Sequence, residues 1–412
     1  MFQFPAPAAG SHRIAVRETG GGQAEIVVRT LPPEIPKDDW LRVLLVSCYY
    51  RGEDAGHLAR IVEGLPPAAR PDFSILMGDQ VYLDLPTLAD FPDDEASLAL
   101  RFENDYTQNW TERRGLTSVL AAAPSIGAPD DHEYWNNFPH AAPAIENSWS
   151  PKGRQHWGAA ASALYDAFQL PAPAARGQAV EIPVDPFSFL ILDQRSFRLE
   201  DQSRSATAEA IDQLDDWVTR LVRDGKYGAL VTGQSLLDLP ASGFEGTIAD
   251  RTPANYGDYG PILRSLVRLA DAGRPALLLT GDVHWGRVTA IREAGRALFY
   301  EVICSPASLV SFVGVDQLKT LGSAIAGLFG RNRNRWPRHA DPAKPSALFA
   351  PKILGRKLDN VRDEPAQKGD QIAMLHLRQS AGTIEMKVVY HEIHGQPQPP
   401  VVKGPWLLRP NP

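Results

Sequence analysis

The segment 277–284 constrains the fold more than any other part of this chain. A continuous apolar run, residues 277–279, is followed by Thr280, Gly281, Asp282 and, after Val283, His284. Short apolar runs of this kind are typical of parallel strands that are buried on both faces of an α/β sheet. The glycine turn then presents a carboxylate and an imidazole at the carboxyl end of the strand, where open α/β sheets carry their sites. The segment therefore predicts metal ligands at the rim of an α/β sheet.

The same arrangement recurs in three earlier segments. Apolar residues 41–46 precede Ser47 and Cys48, residues 73–77 precede Gly78 and Asp79, and residues 125–129 precede Asp130, Asp131, His132 and Glu133. A single Asp after a strand more often caps a helix or closes a turn. Four polar clusters at strand ends in one chain favour the alternative, that separate segments converge on one metal site.

Strand-like and helix-like segments alternate over residues 40–306, which is the pattern of βαβ units. Strands are predicted at 43–47, 74–77, 187–192, 229–231, 276–280 and 298–303. Residues 207–222 and 259–270 each place their apolar side chains on one helical face. We expect these two segments to be helices that cover the sheet.

The 412 residues are expected to form one large domain with additions. Residues 1–39 are predicted to be an N-terminal hairpin extension, with strands at 14–16 and 24–28 on either side of a triple-glycine turn. The main domain spans 40–393 and ends in a second hairpin, 371–377 with 383–390. Residues 311–369, rich in Arg and Pro, are predicted to be a solvated insertion, with a mobile lid or a docking element as the alternative. Residues 394–412 are taken as a C-terminal tail.

Composition and charge exclude several classes of function. The net charge of -7 argues against nucleic-acid binding, although bound metals could still attract a phosphate substrate. The chain lacks the roughly 20 consecutive apolar residues that a membrane span requires. Residues 1–10 show neither a secretory nor a twin-arginine signal. With only two cysteines, Cys48 and Cys304, a disulfide scaffold is excluded and a cytoplasmic location is expected.

The residues at the strand ends carry recognisable metal chemistry. The carboxylate of Asp79 could bridge two cations, and Tyr82 lies close enough in sequence to reach the same cavity. Cys48 is either a small buried hydrophobe or a thiolate ligand, whereas Cys304 is expected to be a core residue. The acids and the imidazole of Asp131 and His132, with the amides of Asn136 and Asn137 close behind, suit a metal and phosphate site.

Together these motifs resemble the PhoD-like (alkaline phosphatase D) metallophosphatases, a branch of the calcineurin-like phosphoesterases. The resemblance covers residues 41–306 in the family's order, and its motifs are Ser47-Cys48, Gly78-Asp79-Gln80-Val81-Tyr82, Asp130-Asp131-His132-Glu133 with Asn136-Asn137, Leu192-Asp193-Gln194-Arg195, Gly233-Gln234 and Thr280-Gly281-Asp282-Val283-His284. The resemblance implies a four-layer α-β-β-α sandwich with a dinuclear metal site at the carboxyl edge of its strands.

The resemblance also implies a ligand set. Asp79 would bridge the metals, and Cys48, Tyr82 and His284 would complete a first site whose anionic donors suit Fe³⁺. The second site would draw on Asp79, Asp131 and Asp282, with Gln234 or an asparagine nearby. Related phosphoesterases carry Asn at position 131 and His at positions 234 and 282. The oxygen donors of this chain therefore favour Ca²⁺, with Mg²⁺ or Mn²⁺ next, and weaken the case for Zn²⁺.

The expected reaction is in-line attack on a small-molecule phosphate ester, a diester or a monoester, by a metal-bound hydroxide. His132 would protonate the leaving group or bind a phosphoryl oxygen, with Asn137 beside it. Arg51 and Arg195 are candidate phosphate clamps, although Arg195 could instead pair with Asp193. Asn136 and Trp285 are candidate substrate contacts, the tryptophan as a wall for the organic group.

Two other functions remain open from the sequence. The chain could bind phosphorylated ligands or partners without turnover and use residues 311–369 as a docking arm. It could also be a metal-dependent hydrolase that acts on a bond without phosphate, such as an amide. Hydrolysis of mono- and diesters separates the first alternative from an esterase, and competition by phosphate or vanadate separates the second.

Overall fold

The computed structural model describes residues 10–17, 20–86, 89–170, 174–237, 240–241, 250–308, 355–356, 358, 362–365, 369–394 and 399–409. The strands in chain order are β1 (Ser11–Arg17), β2 (Gln23–Arg29), β3 (Leu41–Val46), β4 (Phe73–Met77), β5 (Ser125–Ala128), β6 (Val180–Val184), β7 (Phe187–Ile191), β8 (Tyr227–Val231), β9 (Ala276–Thr280), β10 (Arg287–Glu293), β11 (Arg296–Ile303), β12 (Arg362–Pro365), β13 (Gln371–Ser380), β14 (Thr383–Glu392) and β15 (Val401–Leu408). The helices are α1 (Arg51–Asp54), α2 (His57–Gly64), α3 (Glu95–Thr111), α4 (Leu116–Ala122), α5 (Pro151–Phe168), α6 (Ala208–Asp224) and α7 (Tyr259–Asp271).

Two mixed sheets form the centre of the fold. The first has the strand order β15-β14-β13-β3-β4-β5, and the second has the order β12-β10-β11-β9-β8-β7-β6. In the first sheet β3, β4 and β5 are parallel, and in the second β7, β8, β9 and β11 are parallel. Antiparallel strands extend both sheets outward from these parallel centres.

Alternation along the buried strands produces four layers. In β3, Val43 and Leu45 belong to a core that lies between the two sheets. Leu44 and Val46, on the opposite face, pack with side chains of α2 and α4. On the outside of the second sheet, α6 and α7 pack against alternate residues of β7, β8 and β9. The layers are therefore helix, sheet, sheet and helix, which confirms the predicted α-β-β-α architecture.

The two predicted covering helices are present with recognisable ends. Thr207 caps α6 by accepting a hydrogen bond from the Ala210 backbone N–H, and the helix ends at Gly225 in a left-handed conformation. Such a pair of signals starts and stops a helix at low conformational cost. Trp217 of α6 lies so close to β8 that a Cβ at Gly228 would meet its ring at 2.6 Å. The missing side chain lets the helix pack directly against the strand.

The structure also locates the parts that flank the core. Both predicted hairpins are confirmed, β1 with β2 and β13 with β14. The C-terminal tail predicted at 394–412 is wrong in part, because Val401–Leu408 is the edge strand of the first sheet and pairs with β14. Most of the predicted insertion at 311–369 lies outside the described residues, but its Arg362–Pro365 pairs with β10 as β12. The other domain boundaries remain predictions.

The structure also bears on the predictions for the two cysteines and for membrane spans. Both Cys48 and Cys304 are free and buried, and Cys304 belongs to the core between the sheets, as predicted. Among the helices that the structure describes, none combines the length and the apolar character needed to cross a bilayer. The cytoplasmic location remains a prediction.

Truncation of the inter-sheet core should be costly. Phe189 of the second sheet is fully buried, and its ring meets Phe73 of the first sheet edge to face, with centroids 5.2 Å apart. We expect Phe189→Ala to lower the free energy of unfolding by about 3–5 kcal/mol, because it leaves a cavity between the sheets. Urea denaturation measures this loss. Leu100→Ala, at a side chain that is 70% exposed, should change the same free energy by less than about 0.5 kcal/mol, and equal effects of the two would contradict the packing described.

Candidate metal centre

Parallel pairing brings the predicted site residues to one edge of the two sheets. The segment after β3 is tied to the segment after β4 by hydrogen bonds from Cys48 N to Gly78 O (3.1 Å) and from Tyr49 N to Asp79 O (2.8 Å). The turn after β9 joins them from the other sheet, since Asp282 N donates to Ser47 Oγ (3.3 Å). The carboxyl ends of strands in both sheets therefore meet at one place, as the sequence predicted.

The backbone is strained where the predicted ligands lie. Cys48, Asp79, Asn137, Asp282 and His284 have φ values of 55°, 60°, 69°, 61° and 56°. Left-handed conformations at residues other than glycine cost on the order of 1–3 kcal/mol each and cluster at functional sites. Five of the ten such residues in the described part of the chain are predicted site residues. The fold thus holds these side chains in directions that ordinary loops avoid.

The acidic groups come close enough to share cations. One oxygen or nitrogen each from Asp79, Asp131 and His132 lie within 4.8 Å of one another, and so do oxygens from Asp79, Asp130 and Asp282. Oxygens from Asp130, Asp131 and Asp250 form a third such group, so Asp79, Asp130 and Asp131 each belong to two of these groups. The Cys48 Sγ lies 3.4 Å from Asp79 Oδ2. Asp130, which directly precedes Asp131, was not among the predicted ligands.

Electrostatics at this edge favour a bound cation. Burial raises the pKa of the Asp79 carboxyl, and the nearby charges of Asp131, Glu133 and Asp282 raise it further, against the opposing effect of His132. Burial followed by the charge of Asp79 likewise raises the pKa of the Cys48 thiol. The pKa of the Tyr82 phenol is raised by burial first and by Cys48 next. Removing so many anionic groups from water is costly unless positive charge accompanies them.

The donor set fits such cations. The Tyr82 hydroxyl oxygen is buried and has no hydrogen-bond partner, and the same holds for Asp130 Oδ2 and Asn137 Oδ1. Buried polar atoms normally find a partner, so each unsatisfied atom calls for an explanation such as an ion. Carboxylate and phenol oxygens are donors that hard cations accept, and the Cys48 sulfur lies beside Asp79.

A histidine and a carboxylate form a pair beside the acids. The Nδ1 of His132 lies 2.8 Å from Asp84 Oδ1, and Asp84 Oδ2 accepts the backbone N–H of Asn136 at 2.8 Å. Burial lowers the pKa of His132, but the negative charges of Asp84, Asp131 and Asp79 raise it by more, so that its pKa lies well above the usual value. The imidazole ring packs on Tyr82, with centroids 4.2 Å apart. His132 can therefore carry a proton at the centre.

Glu133 ties two of the ligand segments together. Its fully buried carboxylate accepts backbone N–H groups from Asp79 (2.9 Å), Gln80 (2.7 Å) and Asp130 (2.8 Å). Glu133 belongs to a predicted motif, but its sequence position indicates no role. Its short spacing from Asp130 resembles a capping box, but its bonds to residues 79 and 80 depend on the packing of β4 beside β5.

The Arg195 side chain lies inside a network of carboxylates. It is 1% exposed, its Nε donates to Asp130 Oδ1 at 2.8 Å, and its Nη1 donates to Asp250 at 3.0 Å and to Phe138 O at 3.1 Å. Its Nη2 has the same two acidic partners. Asp193 accepts the backbone N–H of Arg195 and not its guanidinium. All three guanidinium nitrogens have acceptors within the protein, so the observed contacts hold Asp130 in place. The role of a phosphate clamp stays a prediction.

Gln234 belongs to the same network. Its Nε2 donates to Asp282 Oδ2 at 3.0 Å and also to Asp250, while its Oε1 accepts from Arg198. The amide is thus fully engaged, and its observed effect is to orient Asp282. Arg198 and Asp250 lie outside the motifs and were not among the predicted site residues. They reach the site only through the fold.

The structure also gives the positions of the other four predicted site residues. Arg51 begins α1 and forms a partly exposed ion pair with Glu112 at 2.7 Å. The backbone N–H of Asn137 donates to Asp131 Oδ2 at 2.9 Å, which ties its turn to the acids. Asn136 and Trp285 are both half-buried, and Trp285 directly follows His284. Their roles toward a substrate stay predictions.

Comparisons with known proteins agree with this geometry. No family profile and no curated protein matches the chain in sequence. In structure it is similar to the protein described as "Structure of PhoD", with a TM-score of 0.59 and 14% sequence identity over 95% of this chain and 74% of that one. A dimetal phosphatase from Danio rerio also matches, with a TM-score of 0.41 and 10% identity over 90% of this chain and 100% of that one. The first likeness confirms that the chain has the PhoD-like metallophosphatase fold.

Removal of the Glu133 carboxylate should loosen the whole edge. We expect Glu133→Ala to lower the free energy of unfolding by more than about 3 kcal/mol, because it leaves three buried N–H groups without an acceptor. Urea denaturation of the metal-free protein measures the change. Glu133 lies in the short 3₁₀ helix Asp131–Glu133. Glu146→Ala, at an exposed position of the 3₁₀ helix Glu146–Trp149, is the matched control and should change little. A loss below about 1 kcal/mol for Glu133→Ala would show that other contacts hold these segments.

Proposed function

We propose, from the metallophosphatase fold and the chemistry at its sheet edge, that this chain hydrolyses small-molecule phosphate esters at a centre of two metal ions. The observation that carries the proposal is the close approach of Asp79 to Asp131 and His132 on one side and to Asp130 and Asp282 on the other, with Asp84 paired to His132. An acid network that needs cations, placed next to a proton donor, suits phosphoryl transfer to water.

The proposed ligands divide between two cations that share Asp79. Cys48, Tyr82 and His284 would complete the first set, whose thiolate and phenolate suit Fe³⁺. Asp131 and Asp282 would complete the second, whose oxygen donors suit Ca²⁺, with Mg²⁺, Mn²⁺ or Zn²⁺ as alternatives. When bound, the cations would supply Lewis acidity that activates water and neutralises charge on the phosphoryl oxygens. Asp130 lies close to Asp79 and Asp282 and also to Asp131, and Gln234 acts in this proposal by orienting Asp282.

His132 is proposed as the general acid. Its Nδ1 is bound to Asp84, so Nε2 is the nitrogen that would deliver a proton to the departing oxygen of the ester. Asp84 keeps the ring oriented and favours its protonated form. The proton is thus held beside the acids until a leaving group accepts it.

Other residues are proposed to bind the substrate or to position its ligands. Arg51, Asn136 and Trp285 would contact the ester, with Asn137 closer to the reacting phosphoryl group. Arg195 would act through Asp130 and not as a direct clamp, because its guanidinium is already saturated by protein acceptors. The ester is an expected small-molecule partner, and either a monoester or a diester fits this chemistry.

Metal content is the first test of the proposal. Elemental analysis of the purified protein should find iron and, as the second ion, a divalent metal, both in stoichiometric amounts. The Cys48→Ser, Tyr82→Phe double variant should lose the iron, since it removes the two donors that favour Fe³⁺. Zinc or manganese in place of iron would overturn the assignment of metals and keep the hydrolase. No stoichiometric metal even after reconstitution would overturn the mechanism and favour a protein that binds phosphorylated ligands.

Turnover tests the role of His132. We expect His132→Ala to lower kcat by about a hundredfold or more on p-nitrophenyl phosphate or its bis-ester, because a general acid is lost. Asp84→Asn should lower it by a smaller factor, since the imidazole remains but loses its charged partner. His156→Ala, whose imidazole contacts the backbone oxygen of Asp93, is the control. Near-normal turnover of His132→Ala with its metals intact would refute the assignment.

Phosphate competition tests the class of bond. Inorganic phosphate and vanadate should inhibit strongly if the centre is built for phosphoryl transfer. Hydrolysis of an amide without such inhibition would identify a different metal hydrolase. Full metal loading without hydrolysis of any ester would favour the binding protein.

A further inference from the structure

We infer that two buried serines, Ser47 and Ser305, tune the Cys48 sulfur as a metal ligand and position it. The inference rests on the proposed function, because it takes Cys48 to be a ligand of the first cation. It assigns a task to two residues that are not themselves among the proposed ligands.

Both hydroxyls lie against the same sulfur. Ser47 Oγ is 3.2 Å from Cys48 Sγ, and Ser305 Oγ donates to that sulfur at 3.1 Å. All three residues are fully buried, so water does not compete for these bonds. A coordinating thiolate has no proton to donate. Each serine must then be the donor, and the sulfur receives two O–H groups.

Each hydroxyl also has an acceptor task that sets its direction. Ser47 Oγ accepts the backbone N–H of Asp282 at 3.3 Å, and Ser305 Oγ accepts the backbone N–H of His284 at 3.1 Å. The two serines thus connect Cys48 with both proposed ligands of the turn after β9. Because an oxygen that accepts one N–H still has its own proton to give, both bonds of each serine can exist together.

Gly281 makes this arrangement possible. A Cβ at Gly281 would lie 2.1 Å from Ser47 Oγ and 2.2 Å from Met77 O, far inside van der Waals contact. Only glycine therefore allows the turn after β9 to approach the Ser47 hydroxyl. Gly281, which the sequence places in a turn, is therefore also required by close packing.

Hydrogen bonds to a ligand sulfur withdraw electron density from it. The sulfur then donates less to the cation, which keeps the cation a stronger Lewis acid, and the energy of charge transfer from sulfur to metal rises. Removal of either hydroxyl should have the opposite effect. A purely structural role would weaken metal binding without a systematic change in the energy of that transition.

Cobalt spectroscopy separates these possibilities. The metal-free protein is titrated with Co²⁺ alone, and the band for charge transfer from sulfur to cobalt is identified by its absence in Cys48→Ser. We expect Ser47→Ala and Ser305→Ala each to shift this band to lower energy, and the double variant to shift it further. Affinity for Co²⁺ should fall about 10–100-fold in each single variant, as for other residues that support metal ligands.

The control is Ser74→Ala, which removes a hydroxyl that is equally buried on the ligand-bearing strand β4 and has no hydrogen-bond partner. Its band and affinity should match those of the unaltered protein. A sulfur band that stays in place in both Ser→Ala variants would overturn the inference and leave the proposed function intact. Absence of any sulfur band in the unaltered protein would overturn both the inference and Cys48 as a ligand, while ester hydrolysis, assayed separately, would still test the enzyme. Near-ultraviolet circular dichroism of each variant establishes that it is folded, and the two single variants test the inference independently.

Discussion

The burial of several acidic side chains at one edge is the constraint on which the site depends. Asp79, Asp130, Asp131 and Glu133 are each at most 3% exposed, and the nearest buried cationic partners are Arg195 and the His132 imidazole. Negative charge in a poorly hydrated place is costly unless it is neutralised. Bound cations would offset that cost, and the hydrogen bonds around the acids hold the carboxylates together.

That framework consists of hydrogen bonds between segments that are distant in sequence. Glu133 joins the segments after β4 and β5, Arg195 joins the second sheet to Asp130, and Ser47 joins β3 to the turn after β9. Each bond satisfies a buried polar group, so each segment stabilises its neighbour. The strain of the left-handed residues at the same edge is offset by these contacts. These hydrogen bonds therefore determine the directions of the candidate ligand side chains.

The residues that orient the candidate ligands were harder to predict from the sequence than the candidate ligands themselves. Cys48, Asp79, Asp131 and His284 stand two to four positions after the ends of apolar strands, and that local signal is visible in the sequence. Arg198 and Asp250 carry no such signal, since each is an ordinary charged residue outside the motifs. Ser305 follows β11 and looks like any serine at a strand end. Their importance arises from partners 16 to 257 positions away along the chain, which no local pattern records. The insertion at 311–369 falls mostly outside the described residues, so its predicted role is unchanged.

Local chemistry in the sequence determined six strands of the two sheets, the two covering helices, the hairpins and the identity of the candidate ligands. Apolar runs with β or helical periodicity, glycine turns and polar residues at strand ends depend only on neighbours in the chain. Tertiary structure alone decided that Val401–Leu408 is an edge strand, that the Arg195 guanidinium is saturated by acceptors within the protein, and that two serine hydroxyls meet at the Cys48 sulfur. Those outcomes follow from strand order and from packing between the two sheets, because a hydrogen-bond partner or a neighbouring strand is selected by position in space and not by distance along the chain.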